Sequence, residues 1–398
     1  MDLADGLLEQ PYDVYRQLRD SAPVHRISGP DGTPAWLVTR YDDVRAALAD
    51  PRLSLDKRHA TASGYRGFAL PPALDANLLN MDPPDHTRIR RLVGNAFTPR
   101  RITHLRTPVR HTADRLLDAL GPDGTTDLIA AYAAPLPITV ISDLLGVPGP
   151  HRRDFRVWTD ALVAPDPRRP EAARDAVAAL LAFFTALIAD KRATPGDDLL
   201  SDLIAVRDEG DLLSENELMS LAFLILFAGY ENTVQLIGNA VLALLHHPDQ
   251  LAALREDPGR LPAAVEEFAR YEGPALLAIR RFPTEDITLG GVTVPAGETV
   301  WLSLSAANRD PARFPGADRL DLGRDTSGHL ALGHGIHYCL GAPLARAETE
   351  IALAALLERF PRLALAAADT PDDAGLRWRP SLRARGLLTL PVSYGSTL

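Results

Sequence analysis

Residues 214 to 247 constrain this chain more than any other stretch. SENE places Ser214 three residues before Glu217, the spacing of a capping box, and no proline interrupts the pattern before Pro248. About 33 helical residues make a rod of roughly 50 Å. Its middle, LAFLILFA, is apolar on every side and so has to cross a core. AGYENT (228–233) then adds Gly229, Glu231 and Asn232 at that depth. Glycine loosens a helix, and a buried carboxylate needs a partner or a task.

The rest of the chain supports a mainly helical fold with small β-sheets. Helical patterns run through PYDVYRQLRD, YDDVRAALAD, RITHLRTPVRHTADRLLDAL, HRRDFRVWTDALVA, EAARDAVAALLAFFTALIADKR and DDLLSDLIAVRDE. Strand-like pieces are short: WLVT (36–39), DITLGG with VTVPAGETVWL (286–302) and LLTLPV (387–392). No repeat or linker divides residues 1–398, so one domain is expected. Residues 56–84, with Gly64, Gly67 and two Pro-Pro pairs, and PDPRRP (165–170) read as irregular loops, the second able to hinge a helical flap.

Composition sets outer limits. The chain is 46% hydrophobic and 24% charged, as soluble globular proteins are. Its acidic start lacks the basic and apolar regions of a signal peptide, and AVAALLAFFTALIA (176–189) and LMSLAFLILFAG (218–229) are too short to span a bilayer. A single cysteine, Cys339, cannot form an internal disulfide, which favours a reducing cytoplasm. A net charge of −10 argues against nucleic acid as partner. Of 42 basic residues only Lys57 and Lys191 are lysines. His86 to Ala113 contains seven arginines and no acid, either a solvated helix surface or a docking site for an acidic partner.

Cys339 lies in LGHGIHYCLG (332–341). Gly333, Gly335 and Gly341 let the backbone turn tightly and approach a flat object, and Pro343 fits the first turn of a helix running to Phe360. A thiolate before a helix N-terminus feels the dipole and the free N–H groups there, which would stabilise a metal-bound sulfur. A zinc site with His334 and His337, a catalytic nucleophile and an inert thiol are the other readings. Three ligands within six residues leave no second cluster for zinc, and no base or acyl site accompanies a nucleophile.

Together these residues resemble the cytochrome P-450 superfamily of haem-thiolate monooxygenases. Its haem loop, F-x-x-G-x-x-x-C-x-G, is matched at Gly335, Cys339 and Gly341, with Leu332 at the phenylalanine. Its E-x-x-R is Glu267 and Arg270, one face of a helix, and its third structural partner matches Arg319 in FPGADRL, where Ala317 and Leu320 stand for the usual proline and phenylalanine. Its A-G-x-[DE]-T is AGYEN, with Asn232 at the threonine. The resemblance runs over essentially the whole chain.

The resemblance implies haem b with Cys339 as iron ligand, and propionates held by His86, Arg90, Arg281 and His337. It implies insertion of one atom of O2 into a lipophilic small molecule of polyketide, macrolide or steroid type, by hydroxylation or epoxidation. Ala228 and Gly229 would border the substrate, and Glu231 and Asn232 would manage proton delivery. No G-x-G-x-x-G follows a strand and no second cysteine exists, so electrons are expected from a separate ferredoxin and its reductase. Oxidative coupling, peroxide-driven chemistry and a non-catalytic haem ligand binder are the competing functions.

Overall fold

The computed structural model describes residues 6–396 except 9, 30–31, 62–69, 95–96, 164–168, 170, 211–212 and 367–375. Gly64, Gly67 and most of PDPRRP lie outside these residues. Six helices position the site: α1 (Asp85–Gly94), α2 (Pro99–Asp118), α3 (Pro135–Leu144), α4 (Glu215–His246), α5 (Leu261–Glu272) and α6 (Ala342–Arg359).

Helix α4 forms for the reasons its sequence gives. Both halves of the capping box are present: the Ser214 hydroxyl accepts from the Glu217 N–H, and the Glu217 carboxylate accepts from the Ser214 N–H. His247 caps the other end, and Pro248 opens the next helix, Pro248–Glu256, where its missing N–H costs nothing. Between these limits α4 is wrapped by α3, α5, α6 and the short helix Pro72–Asp75. It is long and apolar enough to cross a membrane, as is Glu171–Ala193, a length the uninterrupted apolar runs understate. In α4, 72% of that apolar window is buried inside the protein instead.

Gly229 does not loosen α4, which continues through it without a break. A Cβ there would stand 2.8 Å from Ile141 Cδ1 on α3. The glycine therefore lets two helices approach closely, and the expected irregularity is absent.

Small sheets close the periphery. Pro34–Val38 pairs antiparallel with Val24–Ser28 and parallel with Thr299–Leu302, so distant parts of the chain share one sheet. Pro391–Gly395 lies between Asp123–Asp127 and Arg362–Leu365.

Candidate active site

The loop before α6 is built by its glycines and one closing hydrogen bond. Gly333 and Gly335 have φ of 77° and 73°, the left-handed region that side chains avoid. The Cys339 N–H donates to the Leu332 carbonyl at 2.8 Å and draws the loop into a ring. Gly341 is different from its expected role: its φ is −80° and a Cβ there meets nothing within 4 Å. Burial pushes the Cys339 thiol up, against the Gly341 and Ala342 N–H groups and the charges of Arg90 and Arg346, which favour the thiolate. A bound cation would tip that balance towards the charged sulfur.

Cys339 lines a mainly apolar cavity, and five basic residues, His86, Arg90, Arg281, His334 and His337, line the same space. His86 is 1% exposed and the His337 ring packs against it at a tilt of 55°, ring centroids 4.2 Å apart. Neither ring nitrogen of His86 has a hydrogen-bond partner among the described residues. Arg281, 4% exposed, donates to the Leu53 carbonyl at 3.2 Å but has no ion pair among the described residues. Arg90 donates to the Tyr338 carbonyl at 2.6 Å. Burial and the neighbouring positive groups bring His337 down to about 3, and burial brings Arg281 down to about 10. Asp82 and Asp50 oppose the shift at Arg281, but Asp82 is itself engaged by the Ser54 hydroxyl and the Leu55 N–H, and Asp50 by Arg52. Buried cations and idle donors in one place fit a ligand with carboxylates, such as the propionates of haem.

On the other side of the cavity α4 turns one narrow face outward. Ala228 and Asn232, four residues apart and so on one face, are the exposed positions in its otherwise covered middle. Gly229, Thr233 and Leu236 also line the space. The Thr233 hydroxyl donates back to the Gly229 carbonyl at 3.4 Å, which occupies it within the helix. Glu231 is not among the lining residues. Its Oε1 accepts from Gln235 Nε2 at 3.0 Å and lies 3.3 Å from Arg379 Nε, so its carboxylate is spent on the protein side of α4. The turn of about 100° per residue separates it from Asn232.

Glu267 and Arg270 form a buried bidentate pair with bonds of 2.6 and 2.8 Å. Arg270 also donates to the Asn308 and Ala317 carbonyls. The expected third partner is wrong at the level of the side chain: Arg319 is exposed and offers only its backbone carbonyl, at 3.4 Å from Arg270 Nη2. Arg324 fills the role, its Nε donating to Glu267 Oε1 at 3.3 Å. Ala317 and Leu320, which stand for the usual proline and phenylalanine, are both buried, and Arg324 follows Arg319 five residues later in DLGRD. Glu348 was also not foreseen. It lines the cavity at 1% exposure, and burial pushes its carboxyl well above the usual range. A lone acid on the apolar face of α6 was its sequence signal.

The acid-free arginine segment is not acid-free in space. Arg88 pairs with Glu217, Arg101 with Asp202, Arg106 with Glu350, and Arg110 with Asp114 and Glu358. Arg90 belongs to the cavity. Arg91 and Arg100 are exposed and have no ion pair among the described residues.

A thiol at a helix start that shares a cavity with unneutralised cations defines a site for a flat, dianionic metal cofactor. Comparison with known proteins identifies it. The family model described as "Cytochrome P450" matches residues 138–374. The chain is 50% identical over 395 residues to the cytochrome P450 monooxygenase PikC of Streptomyces venezuelae, covering 98% of this chain and 93% of that one. The structure of the P450 monooxygenase TamI with bound tirandamycin C superposes with a TM-score of 0.89 at 44% identity, covering 98% of both chains. The cytochrome P450 enzyme CxnD, described for C–S bond formation in chuangxinmycin biosynthesis, gives 0.88 at 37% identity over 98% of this chain and 96% of that one. The chain belongs to the cytochrome P450 family. It is a monooxygenase, and haem is its cofactor.

Proposed function

We propose that the chain is a single-domain, cytoplasmic haem b monooxygenase that hydroxylates or epoxidises a lipophilic natural product of polyketide, macrolide or steroid type. The observation that carries the cofactor reading is His86, whose two buried ring nitrogens have no partner among the described residues, beside a buried Arg281 that forms no ion pair among them. These two, with Arg90 and His337, would hold the propionates, and Cys339 would ligate the iron. Bound there, haem supplies O2 activation: one oxygen atom enters the substrate and the other leaves as water, using two electrons and two protons.

The chain's own residues do the rest. Leu79, Leu224, Ile225 and Leu277 surround a bound molecule with hydrocarbon, favouring a lipophilic substrate and excluding bulk water. Asn232 offers separate donor and acceptor groups and orients a water or a substrate hydroxyl at the cavity face of α4. Glu231, one residue earlier, exchanges protons with that water from the protein side. A separate ferredoxin, recharged by its reductase, brings the electrons, and exposed Arg91 and Arg100 suit an acidic donor.

The decisive test is optical. Reduced protein with CO should show the strongly red-shifted Soret band of thiolate-ligated haem, and Cys339→Ser should lose it. A histidine-type band in the unmodified protein would sink the assignment. A screen of lipophilic compounds for Soret shifts, followed by product analysis, defines the substrate. Asn232 in place of a hydroxyl residue favours a second reading, oxidative coupling, in which the products would gain a bond between two substrate atoms and no oxygen.

A further inference from the structure

One carboxylate grips both flanks of the Cys339 loop. Glu266, on α5, accepts from Arg346 Nε and Nη2 at 2.5 and 2.8 Å. Arg346 opens the second turn of α6, just after the loop. Before the loop stands His329, whose Nε2 is 2.8 Å from the same carboxylate. The Ala331 N–H donates to His329 Nδ1 at 3.2 Å, so Nδ1 is the bare nitrogen and Nε2 carries the hydrogen that Glu266 accepts. Burial raises the Glu266 carboxyl, but the His329 and Arg346 bonds outweigh it and bring the group down to about 2. Arg346 is 37% exposed along its side chain, yet a planar two-point contact fixes its charge in place.

That charge reaches the Cys339 sulfur. Burial disfavours a thiolate there, while the Gly341 N–H, Arg90, Arg346 and the Ala342 N–H favour it. Arg90 lines the cavity and donates to the Tyr338 carbonyl, whereas Arg346 does not line the cavity. Reduction of ferric haem by ferredoxin moves one electron and adds one negative charge beside Cys339. A fixed cation favours the more negative state and so raises the reduction potential.

We propose that Arg346, fixed by Glu266 and His329, sets the haem reduction potential through its charge on the Cys339 thiolate. No bond or proton is exchanged at Arg346. It acts through Cys339 and is a positioning residue, and the proposal rests on the reading that Cys339 ligates the iron.

The test is a potentiometric titration of the haem-loaded protein, followed optically and without ferredoxin. Arg346→Gln should move the ferric-to-ferrous ratio at fixed potential about threefold towards ferric, or about 30 mV for one electron. The Glu266 charge, left with His329 alone, pushes in the same direction. Arg346→Met, uncharged and of similar reach, should match it. Arg346→Lys keeps the charge without the two-point grip and should retain most of the unmodified potential. An unchanged potential in either uncharged variant would overturn the proposal and leave any slower ferredoxin-driven turnover to docking. An equal fall in Arg346→Lys would overturn it too, since lost packing would then explain the shift. The reduced CO spectrum reports the iron ligand separately. With a thiolate-type band in all four proteins, the potentials judge Arg346 alone. A histidine-type band in the unmodified protein would overturn the ligand reading, and the proposal with it.

Discussion

Two buried arginines only a few turns of chain apart live under opposite rules. Arg270 is 1% exposed and surrounded by acceptors: the Glu267 carboxylate and the carbonyls of Asn308 and Ala317. Arg281 is 4% exposed and donates to one backbone carbonyl; Asp82 and Asp50 act on it only from a distance, and no carboxylate forms an ion pair with it among the described residues. Charge buried with its partners is architecture, whereas charge buried without them is a vacancy for a ligand. The haem reading rests on the second condition and the fold on the first.

The contrast breaks first at Glu267. Glu267→Ala leaves Arg270 charged and uncompensated in the core, a loss of roughly 3–5 kcal/mol. Little folded protein should accumulate, with or without added haem, as measured by soluble yield and melting temperature. Normal yield and melting would show that the carbonyls alone satisfy Arg270.

Arg281→Leu should behave in the reverse manner. Removing a buried charge that the protein itself does not pair is neutral or stabilising for the haem-free chain. Haem affinity should instead fall by about 2 kcal/mol, roughly thirtyfold, as a buried charge partner is lost. Melting of the apoprotein and haem transfer to a scavenger globin measure the two effects separately. A destabilised apoprotein with unchanged haem retention would make Arg281 architectural too.

The same distinction explains what could be read from sequence. The span of α4 was legible because capping, apolarity and a terminal proline all act locally. Cys339, His86, Arg90 and His337 line one cavity; short spacing and glycine turns account for the loop 332–341 and for His86 and Arg90 sharing a helix face, whereas their meeting across about 250 residues was implied only by the family resemblance. Arg319 was misread because the third partner of Glu267 is chosen by a loop about fifty residues away, where Arg324 reaches in. The polar strand Asp123–Asp127 carries no strand signal of its own and is defined by pairing with Pro391–Gly395. Glu231 belonged to the correct motif, yet its partner Arg379 comes from the far end of the chain.

At the surface the contrast weakens to its smallest expected effect. Exposed ion pairs contribute about 0–1 kcal/mol, so pairing there settles availability more than stability. Arg101 donates to Asp202 at 3.1 Å and Arg106 to Glu350 at 2.6 Å, so their charge is largely cancelled before any partner arrives. Arg91 and Arg100 keep theirs. Replacing both with glutamate should leave folding, haem content and substrate binding unchanged, because neither touches the core or the cavity. Ferredoxin-driven turnover should slow by a few-fold at low salt and lose most of its salt dependence, since the interaction acts through a screened field with a reach of about 10 Å at 0.1 M. Peroxide-driven turnover serves as the control. Equal losses from Arg101→Glu and Arg106→Glu would mean that pairing does not remove an arginine from the docking field. The arginine segment would then act as a whole, whatever its neighbours.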